Sequence, residues 1–326
     1  MTNINATLIF MDITFGVDVG GTKIAAGVVD EKGEILHETR EETPRDSDEI
    51  ASIVAMMYEN AAQKYPEISA IGVGVPGLVS QNRTDIDFTA NVNWRNYPLG
   101  KIVSESINDA VPVYVENDAN SAGWAEFKFG VAKDARDMMM VTVGTGLGGA
   151  IVIDNKLIRG RWGSAAEFGH MRLVPHGINC ACGLRGCFEQ YVSGSAMTRQ
   201  AKMRAVQEPE NAQILLKYAD SDVNNITGPL IGRAANEGDP LSIHIIQDTG
   251  RWLGEGCASL AALLDTEVIV IGGGVADHGD ALLDPARVAF SAHLTMRGYR
   301  KEPKLVRAEF GNKAGIVGAA MLAREK

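Results

Sequence analysis

The sequence predicts an α/β protein of two domains built on one plan. A strand–glycine turn–strand unit occurs twice, over Val17 to Asp30 and over Met139 to Asp154. Each copy opens a fresh run of strands followed by helices, the signature of a mixed layered domain. The length, 326 residues, suits about two domains with ample material for buried cores. On this reading each domain offers a glycine turn to a shared cleft.

The elements follow in order. TFGVDVG, residues 14 to 20, is the first strong strand; after a glycine turn, KIAAGVVD and EILHETR complete an antiparallel meander. Residues 46 to 64 carry apolar side chains at Ile50, Ile53, Val54, Met57 and Ala61, the spacing of a helix. ISAIGVGVPG is a buried strand ending in a Gly-Pro-Gly turn, Leu99 to Ile107 a helix, and PVYVEND the next strand. Asp118 stands where that strand gives way to the helix ANSAGWAEF, so its carboxylate can cap the helix or face a ligand. MMMVTVG, a glycine turn and AIVID form the second hairpin. Asp239-Pro240 starts a long helix with proline in its first turn, and Cys257 lies on its apolar face as a buried core thiol. EVIVIGGGVA is a strand running into a triple-glycine turn and a helix; KLVRAEF and AGIVGAAMLARE are the last strand and helix.

Composition narrows the function. Hydrophobic residues are 45% and charged residues 22%, an ordinary globular profile. A net charge of −10 argues against general affinity for nucleic acid or anionic membrane, which both need clustered Lys and Arg. The first dozen residues contain no basic residue and only Leu8, Ile9 and Phe10 as an apolar run, which is no secretory signal. The first ten read as an extension before the first strand, with Met11 after them as an alternative start. No span approaches the ~20 apolar residues of a membrane helix. The expectation is a cytoplasmic protein.

Three glycine turns point to phosphate. In DVGGTK, Gly20 and Gly21 let an anion approach the backbone, Thr22 adds a hydroxyl and Lys23 a charge, and Asp18 can hold magnesium, through water. Gly144-Thr145-Gly146 begins GTGLGG, which formally matches G-x-G-x-x-G, but AIVID follows as a strand where a dinucleotide fold needs a helix. Gly273 and Gly274, in IGGGVA, sit at a strand–helix junction that can pack on adenine or expose N–H groups. There is no G-x-x-x-x-G-K-[ST] run.

Cys180, Cys182 and Cys187 fall within eight residues, and His170 stands ten residues upstream. Tetrahedral zinc wants four such ligands, and four protein ligands make a structural site. A redox pair would prefer C-x-x-C at a helix start. Glu167 and Glu189 lie beside this loop.

DVGGTK, ENDAN, VGTGLGG, EFGH, CACGLRGC followed by FE, and IGGGV resemble, in that order, the ROK family of sugar kinases and repressors, from about Phe15 onward. The resemblance implies an actin-like, hexokinase-like (ribonuclease H-like) ATPase fold with ATP and sugar in an interdomain cleft. It implies a smaller N-terminal domain of residues 1–118 plus 312–326, and a larger one, 119–311, with the zinc loop. Among family activities it implies an ATP-dependent glucokinase, with Mg2+ and structural Zn2+, in which DVGGTK and GTG contact the phosphates and GGGV the adenosine. Asp118 is then the general base, accepting the proton of the attacking hydroxyl. Asn91, Asn117, Asp118, Glu167, His170 and Glu189 resemble the sugar contacts, and His170 would also bind zinc. Asn91 stands in ANVNW where relatives more usually carry PN-x-PW. Alternatives are a kinase for mannose, fructose or an N-acetylhexosamine, and a polyphosphate-using glucokinase. A sugar-responsive repressor is a non-enzyme alternative, but it would carry a DNA-binding domain before DVGGTK. Members are commonly homodimers or homotetramers.

Overall fold

The computed structural model describes residues 12–44, 46–89 and 94–325. They divide into two compact units. The first ends at Phe129 and also takes Arg159–Ala165 and Asn312–Lys326; the second is Gly130–Ile158 and Ala166–Gly311.

The first unit opens with β1 (Ile13–Val19), β2 (Lys23–Val29), β3 (Ile35–Glu42) and α1 (Ser47–Ala62). Then come β4 (Ile68–Val75), the short strands β5 (Leu78–Val79), β6 (Ile86–Phe88) and β7 (Arg95–Tyr97), α2 (Leu99–Ser106), β8 (Val113–Asn117) and α3 (Asp118–Lys128). Its main sheet has the order β3-β2-β1-β4-β8. The meander β1–β3 is antiparallel and β1, β4 and β8 run parallel. Phe15, Val17, Ile24, Ile71, Val73 and Val115 are fully buried in its core, as expected for central strands covered on both faces.

The second unit repeats the plan. β9 (Met138–Val143), β10 (Leu147–Ile153) and β11 (Lys156–Leu157) are an antiparallel meander. After α4 (Gly194–Gln207), α5 (Gln213–Tyr218), α6 (Gly228–Asn236) and α7 (Pro240–Leu264) come β12 (Val268–Gly272), α8 (Asp280–His293) and β13 (Lys304–Arg307). The sheet order β11-β10-β9-β12-β13, with β9, β12 and β13 parallel, matches the first sheet strand for strand. The internal echo of the sequence is thus a duplicated topology. Asp239 caps α7, its Oδ1 accepting the Ser242 N–H (2.9 Å). Cys257 is fully buried on α7, and burial pushes its thiol up to about 12, as suits a core residue. The segment after the triple glycine first forms a 3-10 turn, Gly274–His278, before α8.

The chain then returns to the first unit as α9 (Ala314–Arg324), in which every residue from Ala314 to Ala323 is buried. A helix apolar all round belongs inside. It lies directly on the sheet. Gly16 and Gly72 are register partners on β1 and β4, and a Cβ on either would overlap the α9 carbonyl oxygens of Ile316 and Ala319. On its other side α9 meets α3, where a Cβ on Gly318 would overlap the Ser121 carbonyl oxygen. This contact is why the first unit extends through α3 to Phe129, beyond the division after Asp118 expected from sequence. Among the described residues no helix is long and apolar enough to cross a membrane.

Candidate active site

The first glycine turn joins β1 to β2. The Gly20 N–H donates to the Lys23 carbonyl (2.9 Å), which closes the turn. Thr43, just past β3, clamps it: its Oγ1 donates to the Gly20 carbonyl (2.7 Å) and its N–H to the Thr22 carbonyl (3.1 Å). Gly20 therefore shapes the turn, while Gly21, Thr22 and Lys23 are exposed on it. Asp18, at the end of β1, is partly buried against the start of α9, where a Cβ on Gly315 would come within 2.5 Å of its Cγ. Burial raises its carboxyl from 3.8 to about 6. A carboxylate so placed is stabilised by any cation brought to it, and this donor suits magnesium, a hard ion that takes oxygen ligands.

At the start of α3 the cap is Asn117, not Asp118. Asn117 Oδ1 accepts the Asn120 N–H (3.0 Å) and its Nδ2 donates to the Gly77 carbonyl (3.0 Å). Asp118 is the first helical residue, partly exposed, with Oδ1 accepting the Ala119 N–H (2.8 Å). With the cap supplied by its neighbour, the Asp118 carboxylate is held at the helix start by a local bond. Asn91, the other sugar-binding asparagine expected in this unit, lies outside the described residues.

In the second unit the turn 144–146 is closed by the Gly144 N–H on the Gly146 carbonyl (3.0 Å). It is tied to the start of α4: the Gly194 N–H donates to the Gly144 carbonyl (2.8 Å) and the Ser195 N–H to the Thr145 carbonyl (3.4 Å). Gly273 has φ 82°, and a Cβ there would stand 2.5 Å from the Val143 carbonyl oxygen, so glycine lets the two turns abut. Between them and α6 opens a cavity of about 1240 Å³, lined by Gly144, Thr145, Ser195, Gly232, Gly274 and His278 among others. Its size and mixed lining suit a nucleotide. The N-terminus of α4 faces it, and a helix start favours negative charge. His278 packs on Gly232, and burial lowers its pKa against a smaller opposing effect of Asp277, which favours the neutral ring.

The cysteine loop is folded by two short bridges, Arg172 with Cys187 and Asn179 with Arg185. Gly186, at φ 78°, lies so close to the Val174 carbonyl that no Cβ fits. The ligand atoms of His170, Cys180, Cys182 and Cys187 all lie within 4.8 Å of one another. His170 Nδ1 is 3.7 Å from Cys180 Sγ, and Cys182 Sγ is 3.6 Å from Cys187 Sγ. A tetrahedron with Zn–S of about 2.3 Å and Zn–N of about 2.0 Å has edges of about 3.5–3.8 Å. The donor set and its spacing therefore fit zinc. Without metal, burial pushes the Cys180 thiol up to about 12, with the Cys182 N–H opposing and Glu189 adding to it. At Cys182 burial acts upward but is outweighed by the Leu184 N–H and the neighbouring thiols, and the net shift is down. Since Nδ1 of His170 faces the thiols, Nε2 is the nitrogen left to point elsewhere.

Glu189 is bound into this cluster: Oε1 accepts from the Cys180 thiol (3.1 Å) and a Cβ on Gly146 would lie 3.2 Å from Oε2. Glu167 is exposed at the head of the turn bearing His170; partial desolvation raises its pKa, His170 opposes and Glu189 adds to it. The second unit thus brings Gly146, Glu167, His170 and Glu189 together around one loop.

The model of the ROK family matches residues 14–326. The chain belongs to the ROK family. It is 46% identical over 315 residues to a glucokinase of Streptomyces coelicolor, covering 97% of this chain and 98% of the relative. Among solved structures it is similar to a ROK family glucokinase from Streptomyces griseus in complex with glucose and AMPPNP. The TM-score is 0.87 and the identity 45%, over 96% of this chain and 100% of that one. It is also similar to the ROK hexokinase of Thermus thermophilus, with a TM-score of 0.78 and 33% identity over 96% and 98% of the two chains. The fold is accordingly the two-domain hexokinase-like one.

Within this ROK chain, sequence reasoning missed most of the cavity wall. Ser195 and Lys202 on α4, Gly232 and Arg233 on α6, and His278 carry no motif. The available signals were capping ones: Ser193 accepts the Ala196 N–H (3.0 Å) to start α4, and Gly228-Pro229 opens α6.

Proposed function

We propose that this chain transfers the terminal phosphoryl group of ATP to the 6-hydroxyl of glucose. The full-length likeness to the glucokinase of known structure with glucose and AMPPNP carries the reading. Asp118 is the general base, taking the hydroxyl proton as the oxygen attacks phosphorus. Gly21, Thr22 and Lys23, with Gly20 shaping their turn, and Gly144, Thr145 and Gly146 cradle the phosphates. Gly273 and Gly274 border the adenosine, a role supported for Gly274 by the cavity it lines and for Gly273 by its closeness to the Val143 carbonyl, which brings the two turns together. Magnesium, with Asp18 as the residue to hold it through water, would supply charge neutralisation on the phosphates. Asn91, Asn117, Glu167, His170 and Glu189 bind the sugar hydroxyls. Zinc on His170, Cys180, Cys182 and Cys187 is structural and fixes the loop bearing Glu189. The need for ATP sets the reaction in the cytoplasm, and a homodimer or homotetramer is the proposed assembly.

The test is a coupled ADP-release assay over a panel of hexoses with wild type and Asp118→Asn. Glucose should give the highest kcat/KM, and the variant should still bind glucose yet lose about 10²- to 10⁴-fold in kcat. Undiminished turnover in the variant rejects the base; preference for another hexose rejects the substrate.

A further inference from the structure

Glu116, one residue before Asn117, is a buried acid that the proposed chemistry does not use; it is only 3% exposed. Its Oε1 accepts the Asn117 N–H (3.1 Å) and the Asn120 Nδ2 (3.0 Å). Its Oε2 accepts from Arg159 Nε (2.7 Å), and Arg83 Nε lies 3.8 Å away. One carboxylate therefore grips both ends of the first turn of α3, at Asn117 and Asn120, with Asp118 between them. Arg83 is fixed in turn by the Leu322 and Glu325 carbonyls at the end of α9 (2.7 and 2.9 Å) and by the face of Tyr114. Arg159 comes from the short segment Arg159–Ala165, closed on itself by the Ala165 N–H on the Arg159 carbonyl (3.1 Å).

We infer that Glu116, clamped by Arg159, is a positioning residue that sets the aim of the Asp118 carboxylate. A buried carboxylate stripped of a partner is costly, so the clamp and the carboxylate hold one another in a single arrangement. A plain core residue would need none of this, since an apolar side chain at the end of β8 would fill the space. The inference rests on Asp118 being the base, and the experiment separates the two.

The variants are Glu116→Gln, Arg159→Met and Arg159→Lys, beside Asp118→Asn, each measured for kcat, KM for ATP and glucose, zinc content and thermal unfolding. Misalignment of the base by about 1 Å acts on the transition state, so Glu116→Gln and Arg159→Met should each lose up to about 10²-fold in kcat. KM for ATP should stay within about twofold. Arg159→Lys, which keeps a positive charge beside Glu116, should recover part of kcat. Should Glu116→Gln not fold, the Arg159 pair carries the test. If Asp118→Asn is inactive while Glu116→Gln and Arg159→Met turn over like wild type, the inference is overturned and the base stands. Losses spread equally over kcat and both KM values, with no recovery in Arg159→Lys, also overturn it by marking a merely structural role. Full activity in Asp118→Asn overturns the reading beneath.

Discussion

Replacing Asp18 with asparagine should make the ligand-free protein more stable and the enzyme worse. The carboxyl sits at about 6 in the folded chain against an ordinary value of 3.8, because burial disfavours its charge. Below pH 3.8 both folded and unfolded chains hold the proton and the group costs nothing. Between 3.8 and 6 the unfolded chain ionises first, so the folded state binds more protons and stability falls as pH rises. Above 6 both are ionised and the whole cost is present. At 1.36 kcal/mol per pKa unit that cost is about 2–3 kcal/mol, the lower figure allowing for the remaining solvent contact. An amide of the same shape never carries it. Urea unfolding without magnesium or nucleotide should show Asp18→Asn ahead of wild type by that amount at pH 7.5, by about half as much at pH 5, and level below pH 4. A variant less stable than wild type at pH 7.5, or a gap that does not shrink toward pH 5, would refute the reasoning. Loss of turnover in the same variant would mark Asp18 as a residue kept for function at a cost to the fold.

Cys182→Ala should lower bound zinc from about one per chain to a small fraction. It should also raise KM for glucose, read by metal analysis and steady-state kinetics; a wild-type protein without zinc would defeat this. Gly318→Ala forces a methyl group onto the Ser121 carbonyl and should destabilise the first unit by about 2–3 kcal/mol. A melting temperature unchanged in that variant would mean α3 and α9 do not cross this closely.

Sequence exposed what is local. Both hairpins were legible because their glycines and their short apolar runs occupy adjacent residues, and because AIVID reads as strand where a dinucleotide fold needs a helix. The zinc loop was legible because three of its ligands share one short segment. What escaped depended on partners far away in the chain. The sequence allows Asp118 as a helix cap, yet Asn117 caps α3 while its amide also reaches the Gly77 carbonyl forty residues away. The first unit's reach to Phe129 depends on α9, encoded nearly two hundred residues later. The clamp of Thr43 on the Gly20 carbonyl, and the wall that α4 and α6 build around the cavity, are products of tertiary folding. Apart from Met197, the residues that face the cavity from those helices are mostly small or polar and form no periodic signal.

Because α9 fills the glycine-floored groove over β1 and β4, the unit begun first during synthesis is finished last. Strands β1 to β4 leave the ribosome with that trough empty, and the whole intervening unit must be translated before its occupant appears. At about 5–20 residues per second the delay from Phe129 to Ala314 is roughly 10–40 s. The outer unit has all its strands in hand before the inserted one begins, yet the inserted one completes its own set of helices first. For that interval the nascent chain lacks the helix that covers Gly16 and Gly72 in the folded protein.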